Sequence, residues 1–184
     1  MVRKGPMTGP VVVVVDPQGD AKHDELPATW RGLAEDVGVV WWRLPAGDVP
    51  PAELTDDPGH PVHLVGARES ALLVLSLATR RPESVRSVVL VDPPWEPDMP
   101  ALATVVPVTV QHVVTSGSAQ AEDWLPLGHP DVVVAVLEAL MSADLWPDNG
   151  VEPRLPGAES LMAGAWEATR SRLADLLRSL RPSV

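Results

Sequence analysis

Short apolar runs alternate with segments of helical periodicity along this chain. Residues 11–15 are five consecutive valines, bounded by proline on one side and by Asp-Pro on the other. Such a run is typical of a strand that is buried on both faces of a parallel sheet. Further apolar runs at residues 39–44, 63–65, 85–91 and 107–114 predict four more strands. The sequence therefore predicts a sheet of five or six strands.

Segments with apolar residues at helical spacing lie between these runs. Residues 27–36 and 130–142 each carry an apolar stripe, and residues 71–79 are apolar almost all round, as in a helix buried against a sheet. The proline-rich residues 45–61 leave room for at most one helical turn. Strands that alternate with helices pair in parallel through right-handed crossovers. The expected fold class is α/β, a three-layer α/β/α sandwich with a mostly parallel sheet.

The chain is expected to consist of one compact unit followed by a tail. Its 184 residues, 45% of them hydrophobic, suffice for one core, which we assign to residues 1–145. Residues 146–158 are rich in Pro, Gly and Asp and predict a linker. Residues 159–182 carry a broad apolar stripe, which predicts an amphipathic helix. This helix packs either on the same domain or at a homodimer interface.

Charge and cysteine content narrow the classes of partner and of chemistry. With a formal net charge of −11, the surface has little basic charge to offer to nucleic acid or to an anionic membrane, so neither is an expected partner. The chain has no cysteine, hence no disulfide, thiolate ligand or cysteine nucleophile. The five valines near the N-terminus are too few for a signal-peptide core or a membrane span, and we expect a cytoplasmic location.

The strongest functional signal lies between residues 63 and 93. This segment reads HLVGARESALLVLSLATRRPESVRSVVLVDP, which predicts a strand, a tight turn, an apolar helix and a second strand. The order resembles the α/β-hydrolase superfamily, in which a G-x-S-x-G turn presents the nucleophilic serine between a strand and a helix. The resemblance extends over residues 11–142. It implies a minimal α/β-hydrolase-like fold, and the short proline-rich connection at residues 93–107 implies a reduced lid.

The nucleophile that the resemblance implies is missing from the turn. Arg68 stands at the position of the serine, and the small residues Gly66 and Ser70 flank it where strand and helix must approach closely. Ser70 does not replace the serine, because the residues two positions away from it, Arg68 and Leu72, are both bulky. The turn thus keeps the small flanking residues that the resemblance requires, but it has no nucleophilic side chain at its centre.

Other catalytic parts that the resemblance implies are also altered. Asp16 and Pro17 occupy the place of the oxyanion-hole loop, where a carboxylate opposes developing negative charge and proline has no N–H to donate. Residues 115–118 contain no carboxylate where the family has its acid, although Asp92 lies at an alternative acid position. His129, in the sequence Gly-His-Pro, matches the family's catalytic histidine. Its alternative role is structural, at the start of the following helix.

Arg68 is the residue expected to define the site. The side chain of a residue in this turn points to the carboxyl ends of the strands, where parallel sheets bind ligands. A guanidinium there is suited to a bidentate pair with a carboxylate or phosphate. The alternative is an internal salt bridge from Arg68 to Asp16, Asp92 or Glu69 that closes the pocket. The further predicted ligand-binding residues are Glu69, Pro17, Trp42 and Trp95.

Three functions follow from this pattern. The first is a protein that binds a small anionic or peptide-like ligand, or a partner protein, without covalent catalysis. The second is a non-hydrolytic enzyme, such as an isomerase, epimerase, cyclase or lyase, in which His129 and Asp16 transfer protons. The third is a weak esterase-like hydrolase in which His129, assisted by Asp92 or Asp16, activates water. None of them requires a cofactor or a metal, and His23, which lies near Asp20 and Asp24, lacks a second histidine at helical spacing.

Overall fold

Six strands form one mostly parallel sheet in the part of the chain that a computed structural model describes, residues 1–17, 25–44, 50–55, 59–94, 108–114 and 124–143. The strands are β1 (Val2–Lys4), β2 (Val11–Asp16), β3 (Gly38–Arg43), β4 (Val62–Ala67), β5 (Val85–Val91) and β6 (Thr109–Val113). Their order in the sheet is β1-β3-β2-β4-β5-β6. Every neighbouring pair is parallel except β1 with β3. The predicted α/β class and mostly parallel sheet are confirmed.

The described helices connect several of the strands or follow the last of them. The α-helices are α1 (Ala52–Thr55), α2 (Ala71–Arg80) and α3 (Pro130–Ser142), and single-turn 3₁₀ helices cover Ala28–Trp30, Leu33–Glu35 and Arg68–Ser70. The helices predicted at residues 71–79 and 130–142 are confirmed. The continuous helix predicted at residues 27–36 is wrong, since two separate 3₁₀ turns stand there. Gly32 lies between those turns, and glycine is a poor residue for a helix interior.

Alternate strand residues face opposite sides of the sheet and divide the core into two clusters. One cluster includes Trp41 and the apolar stripe of α3, and the other includes Trp42 and the buried side of α2. The two neighbouring tryptophans therefore lie on opposite faces, and both are buried. The five valines of residues 11–15 have no exposed surface, which confirms that β2 is an interior strand.

Strand β1 was missed at the level of the sequence. It runs antiparallel to β3 and pairs Val2 with Trp41. Arg3 anchors it through a bidentate ion pair, in which Nε lies 2.8 Å from Oε1 of Glu53 and Nη2 lies 3.1 Å from Oε2. Three residues are too few to show a periodic pattern. The strand is defined by partners far away in the sequence, so local reasoning could not find it.

Several predicted features fall outside the described residues. They are the linker at residues 146–158, the C-terminal helix at residues 159–182, Trp95, the acid-free residues 115–118, and the group of His23, Asp20 and Asp24. Within the described ranges, no helix has the length and apolar character needed to cross a membrane. The same ranges contain no group of three or more His, Cys, Asp or Glu side chains that could hold a metal ion.

Candidate functional site

The turn between β4 and α2 has a strained backbone. Arg68 follows the last residue of β4 and has a φ of 47°, in the left-handed region that a residue with a Cβ adopts at a cost. Among the described residues, Asp92 is the other non-glycine residue with a positive φ, 41°. Asp92 follows β5, and the register pairs the preceding residues Ala67 and Val91. Two adjacent strands thus end in strained residues at one edge of the sheet, and strain of this kind gathers at functional sites.

Two small residues make the turn sterically feasible. A Cβ added to Gly66 would lie 2.7 Å from Cγ2 and 2.9 Å from Cγ1 of Val74 on α2, closer than side chains tolerate. Ser70 is 1% exposed, and its Oγ accepts a hydrogen bond from the N–H of Ala67 at 2.9 Å. The same oxygen lies 2.8 Å from the carbonyl of Ala67 and 3.1 Å from that of Val15. Ser70 therefore fastens the turn to β2 and is not presented as a nucleophile.

The side chain of Arg68 lies partly open at the carboxyl edge of the sheet. Its exposed fraction is 31%, and its Nε lies 3.8 Å from Oε1 of Glu69, whose side chain is 68% exposed. Its guanidinium carbon lies over the ring of Trp124, 5.5 Å from the centroid. Of the three internal pairs predicted as alternatives, the described residues contain only the one with Glu69. That pair is long and solvated, so it holds Arg68 weakly.

Asp16 ends β2 and is buried, with 1% of its surface exposed. Its Oδ2 accepts a hydrogen bond from Nε1 of Trp41 at 2.9 Å. The Trp41 ring meets Trp30 edge to face, with 5.3 Å between centroids, and Nε1 of Trp30 donates to the carbonyl of Leu127 at 2.8 Å. These contacts connect the end of β2 to the segment that leads into His129.

The remaining predicted ligand-binding residues differ in their access to solvent. Pro17 follows Asp16 at the carboxyl end of β2 and is partly exposed, and Glu69 is exposed beside Arg68. Trp42 is 4% exposed and packs in the cluster that contains α2. Almost none of its surface is therefore offered to a ligand. Trp95 lies outside the described residues.

His129 stands directly before helix α3 and caps it. Its side chain is 37% exposed, and Nδ1 accepts a hydrogen bond from the backbone N–H of Asp131 at 3.3 Å. Since Nδ1 accepts, the neutral ring carries its proton on Nε2. A general base acting through Nε2 requires the other tautomer, in which Nδ1 donates to a carboxylate or carbonyl. Oδ2 of Asp131, the carboxylate paired with this ring, lies farther from Nδ1, at 3.7 Å.

Two residues at this edge were missed by sequence reasoning. Trp124, whose ring lies beneath the guanidinium of Arg68, follows two acidic residues in the sequence. A single large aromatic residue at that point was the sequence signal that could have identified it. Arg43 ends β3 and pairs in register with Asp16. The sequence signal for Arg43 was its place directly after the apolar residues 39–42, because this position falls at the carboxyl end of a parallel strand.

Comparison with protein-family models gives no match for this chain, and comparison with curated proteins gives none either. What the edge can do chemically follows from its residues. Arg68 supplies N–H donors to an anion, while Ser70 is engaged within the turn and His129 caps α3. This arrangement is suited to holding a negatively charged group and poorly suited to attacking an ester.

Proposed function

We propose that this protein binds a small anionic or peptide-like ligand at the carboxyl edge of its sheet, without covalent catalysis. In this proposal the fold is a minimal α/β-hydrolase-like sandwich of three layers, and Arg68 replaces the nucleophile. The observation that carries the proposal is the φ of 47° at Arg68. A strained strand-to-helix turn is what presents the nucleophile in that fold, and here the same strain is retained under a guanidinium.

The packing around the sheet supports the fold part of the proposal. Helices α2 and α3 contribute to separate core clusters, as expected for layers on the two faces of the sheet. The contact between Gly66 and Val74 supports the assignment of the turn as an elbow, because an elbow requires a small residue two positions before its central residue. The central residue is then Arg68.

The surroundings of Arg68 support anion binding. A guanidinium that lies over an aromatic ring keeps its in-plane N–H groups available, and two of them match the oxygens of a carboxylate or phosphate. The exposed Glu69 is a weak competitor for these donors, since solvated ion pairs contribute about 0–1 kcal/mol. A ligand anion can therefore displace Glu69 at small cost.

The geometry of His129 favours binding over the two catalytic alternatives. In both alternatives the imidazole ring must exchange protons with substrate or water. In the hydrolytic alternative Nε2 must be unprotonated, because it accepts a proton from water. The cap of α3 instead favours the tautomer with the proton on Nε2. Asp16, the second candidate for proton transfer, is buried and accepts from Trp41.

The proposal is tested by anion binding to wild-type protein and two variants. Acetate, succinate, a dipeptide and inorganic phosphate are screened for saturable increases in Tm, and positive probes are titrated calorimetrically. Arg68→Gln is expected to weaken a positive probe at least tenfold, since a lost charged hydrogen bond is worth about 1.5–3 kcal/mol. Arg80→Gln, at the exposed end of α2, is the matched control and should bind as the wild type does.

Three results would count against the proposal. The first is the absence of saturable binding for every probe, and the second is equal weakening by Arg68→Gln and Arg80→Gln. The third is cleavage of an activated ester that disappears in His129→Ala, because such turnover would restore the hydrolytic alternative. His129→Asn keeps a capping side chain and separates loss of turnover from loss of the helix cap.

A further inference from the structure

Arg43 carries two buried N–H groups that have no acceptor among the described residues. Its Nε and Nη2 are shielded from solvent and have no hydrogen-bond partner within the part of the chain that the structure describes. Leaving a buried donor unsatisfied is unfavourable, and more so when the group is charged. Native proteins keep few such groups, and each of them requires an explanation. A bound oxyanion is an explanation that suits a cationic guanidinium, because its oxygens accept both hydrogen bonds.

The two atoms lie on one edge of the guanidinium. Nε–H and one N–H of Nη2 point in the same direction and match the two oxygens of a carboxylate or phosphate. Elsewhere in this protein, Arg3 uses the same pair of atoms to bind Glu53, at 2.8 and 3.1 Å. Arg43 thus offers the same two donor atoms that Arg3 uses in its bidentate ion pair, but in Arg43 both atoms are buried.

The position of Arg43 in the sheet is that of a ligand-binding residue. It ends β3 at the carboxyl edge, opposite Asp16 of β2 in the register, and open parallel sheets bind ligands outside these ends. The carboxylate of Asp16 accepts from Trp41 and leaves Nε and Nη2 of Arg43 without a bond. The closest carboxylate in the register therefore does not explain the cation.

We propose that Arg43 is an oxyanion-binding residue whose Nε and Nη2 hold one carboxylate or phosphate group of a small ligand. Partial burial strengthens such a pair, because charge-assisted hydrogen bonds are screened less away from bulk water. Arg43 ends β3 and Arg68 directly follows β4, the two strands on either side of β2, which places them about 10 Å apart at the usual strand spacing. The site at Arg43 is separate from the one proposed at Arg68 and does not depend on it.

The test follows the arginine Nε–Hε signals of the full wild-type chain by ¹H–¹⁵N NMR during titration with acetate and with inorganic phosphate. The Arg43 signal, assigned by its absence from Arg43→Lys, is expected to shift saturably at millimolar probe and to do so equally in Arg68→Gln. The exposed Arg31 and Arg80 serve as internal controls and should drift without saturation. Saturation by acetate identifies a carboxylate as the preferred group, and saturation by phosphate identifies a phosphate.

Three outcomes would overturn the proposal. They are an Arg43 signal that does not respond to either probe, a response no more saturable than those of Arg31 and Arg80, and a response that vanishes in Arg68→Gln. The last would show that the anion binds at Arg68 and affects Arg43 from there. Failure at Arg43 with retained binding at Arg68 would leave the proposed function intact. The saturation itself is measured on the wild-type chain, and the two variants serve only to assign the Arg43 signal and to locate the responding site.

Discussion

Trp41 donates a hydrogen bond from Nε1 to Oδ2 of Asp16 across 2.9 Å, and both residues are buried. The bond joins β3 to the carboxyl end of the adjacent strand β2. It continues through the edge-to-face contact with Trp30 to the carbonyl of Leu127. A residue that the sequence suggested as a proton-transfer group is therefore an acceptor within the core network that supports the candidate site.

Removing the indole donor should destabilise the protein. Trp41→Phe keeps an aromatic ring and deletes Nε1, and we expect a loss of about 1.5–3 kcal/mol, typical of a hydrogen bond to a charged group. Urea unfolding measures the change. A double-mutant cycle with Asp16→Ala isolates the bond from the loss of ring volume. If the two substitutions proved additive, the hydrogen bond would contribute nothing.

Gly66→Ala should destabilise the elbow by about 1–3 kcal/mol, the usual cost of overpacking. The new methyl group would meet the side chain of Val74 at 2.7 Å. Val74→Ala in the same chain removes the clash, so the effect of Gly66→Ala should shrink in that background. Gly9→Ala is the control, because a Cβ at that residue would meet no described atom within 4 Å. Equal stability losses for Gly66→Ala and Gly9→Ala in chemical denaturation would refute the steric explanation.

Arg68→Gly should stabilise the protein and at the same time weaken anion binding. The left-handed backbone at φ 47° costs a non-glycine residue about 1–2 kcal/mol, partly offset by the greater freedom of glycine in the unfolded chain. Arg68→Ala also removes the guanidinium, but it keeps a Cβ and therefore keeps the cost of the left-handed backbone. Arg68→Gly should therefore unfold at higher denaturant concentration than Arg68→Ala, while both bind the anion poorly. A stability order in which alanine exceeds glycine would contradict the strained turn.

The ion pair between Arg3 and Glu53 should be lost in acid. Burial raises the pKa of Glu53. The hydrogen bonds from Arg3 and from the backbone, together with the charges of Arg3 and His60, lower this pKa by more than burial raises it. The pKa of Glu53 therefore lies below its ordinary value. A folded-state pKa below that of the unfolded chain gives stability that is present above the unfolded value, about 4.3, and lost as the pH falls through the folded value.

Arg3→Gln should raise the pKa of Glu53, because burial then acts without the opposing cation. A carboxyl ¹³C NMR titration of wild type and variant measures the change directly. In stability profiles, Arg3→Gln should flatten the loss between neutral pH and acid, and it should have no such effect in a Glu53→Gln background. An unchanged titration of Glu53 in Arg3→Gln would show that other groups set its pKa.

Elements whose causes are local could be predicted from the sequence. The valines of residues 11–15 form an interior strand because no polar side chain interrupts the run, and α3 covers residues 130–142 because its apolar stripe follows a proline suited to a first turn. The frame of Gly66, Arg68 and Ser70 was also readable, since the steric demands of a tight strand-to-helix turn act within a few residues.

The side chains that meet at the carboxyl edge could not be predicted from the sequence, because their contacts form between distant segments. Arg68 lies over the ring of Trp124, Trp41 donates a hydrogen bond to Asp16, and Arg43 keeps two buried donors that no described residue accepts from. These relationships depend on the strand order β1-β3-β2-β4-β5-β6, which places segments far apart in sequence beside one another. Hydrogen bonds and burial are fixed by distances in space, and periodicity along a chain carries no information about those distances until the sheet is assembled.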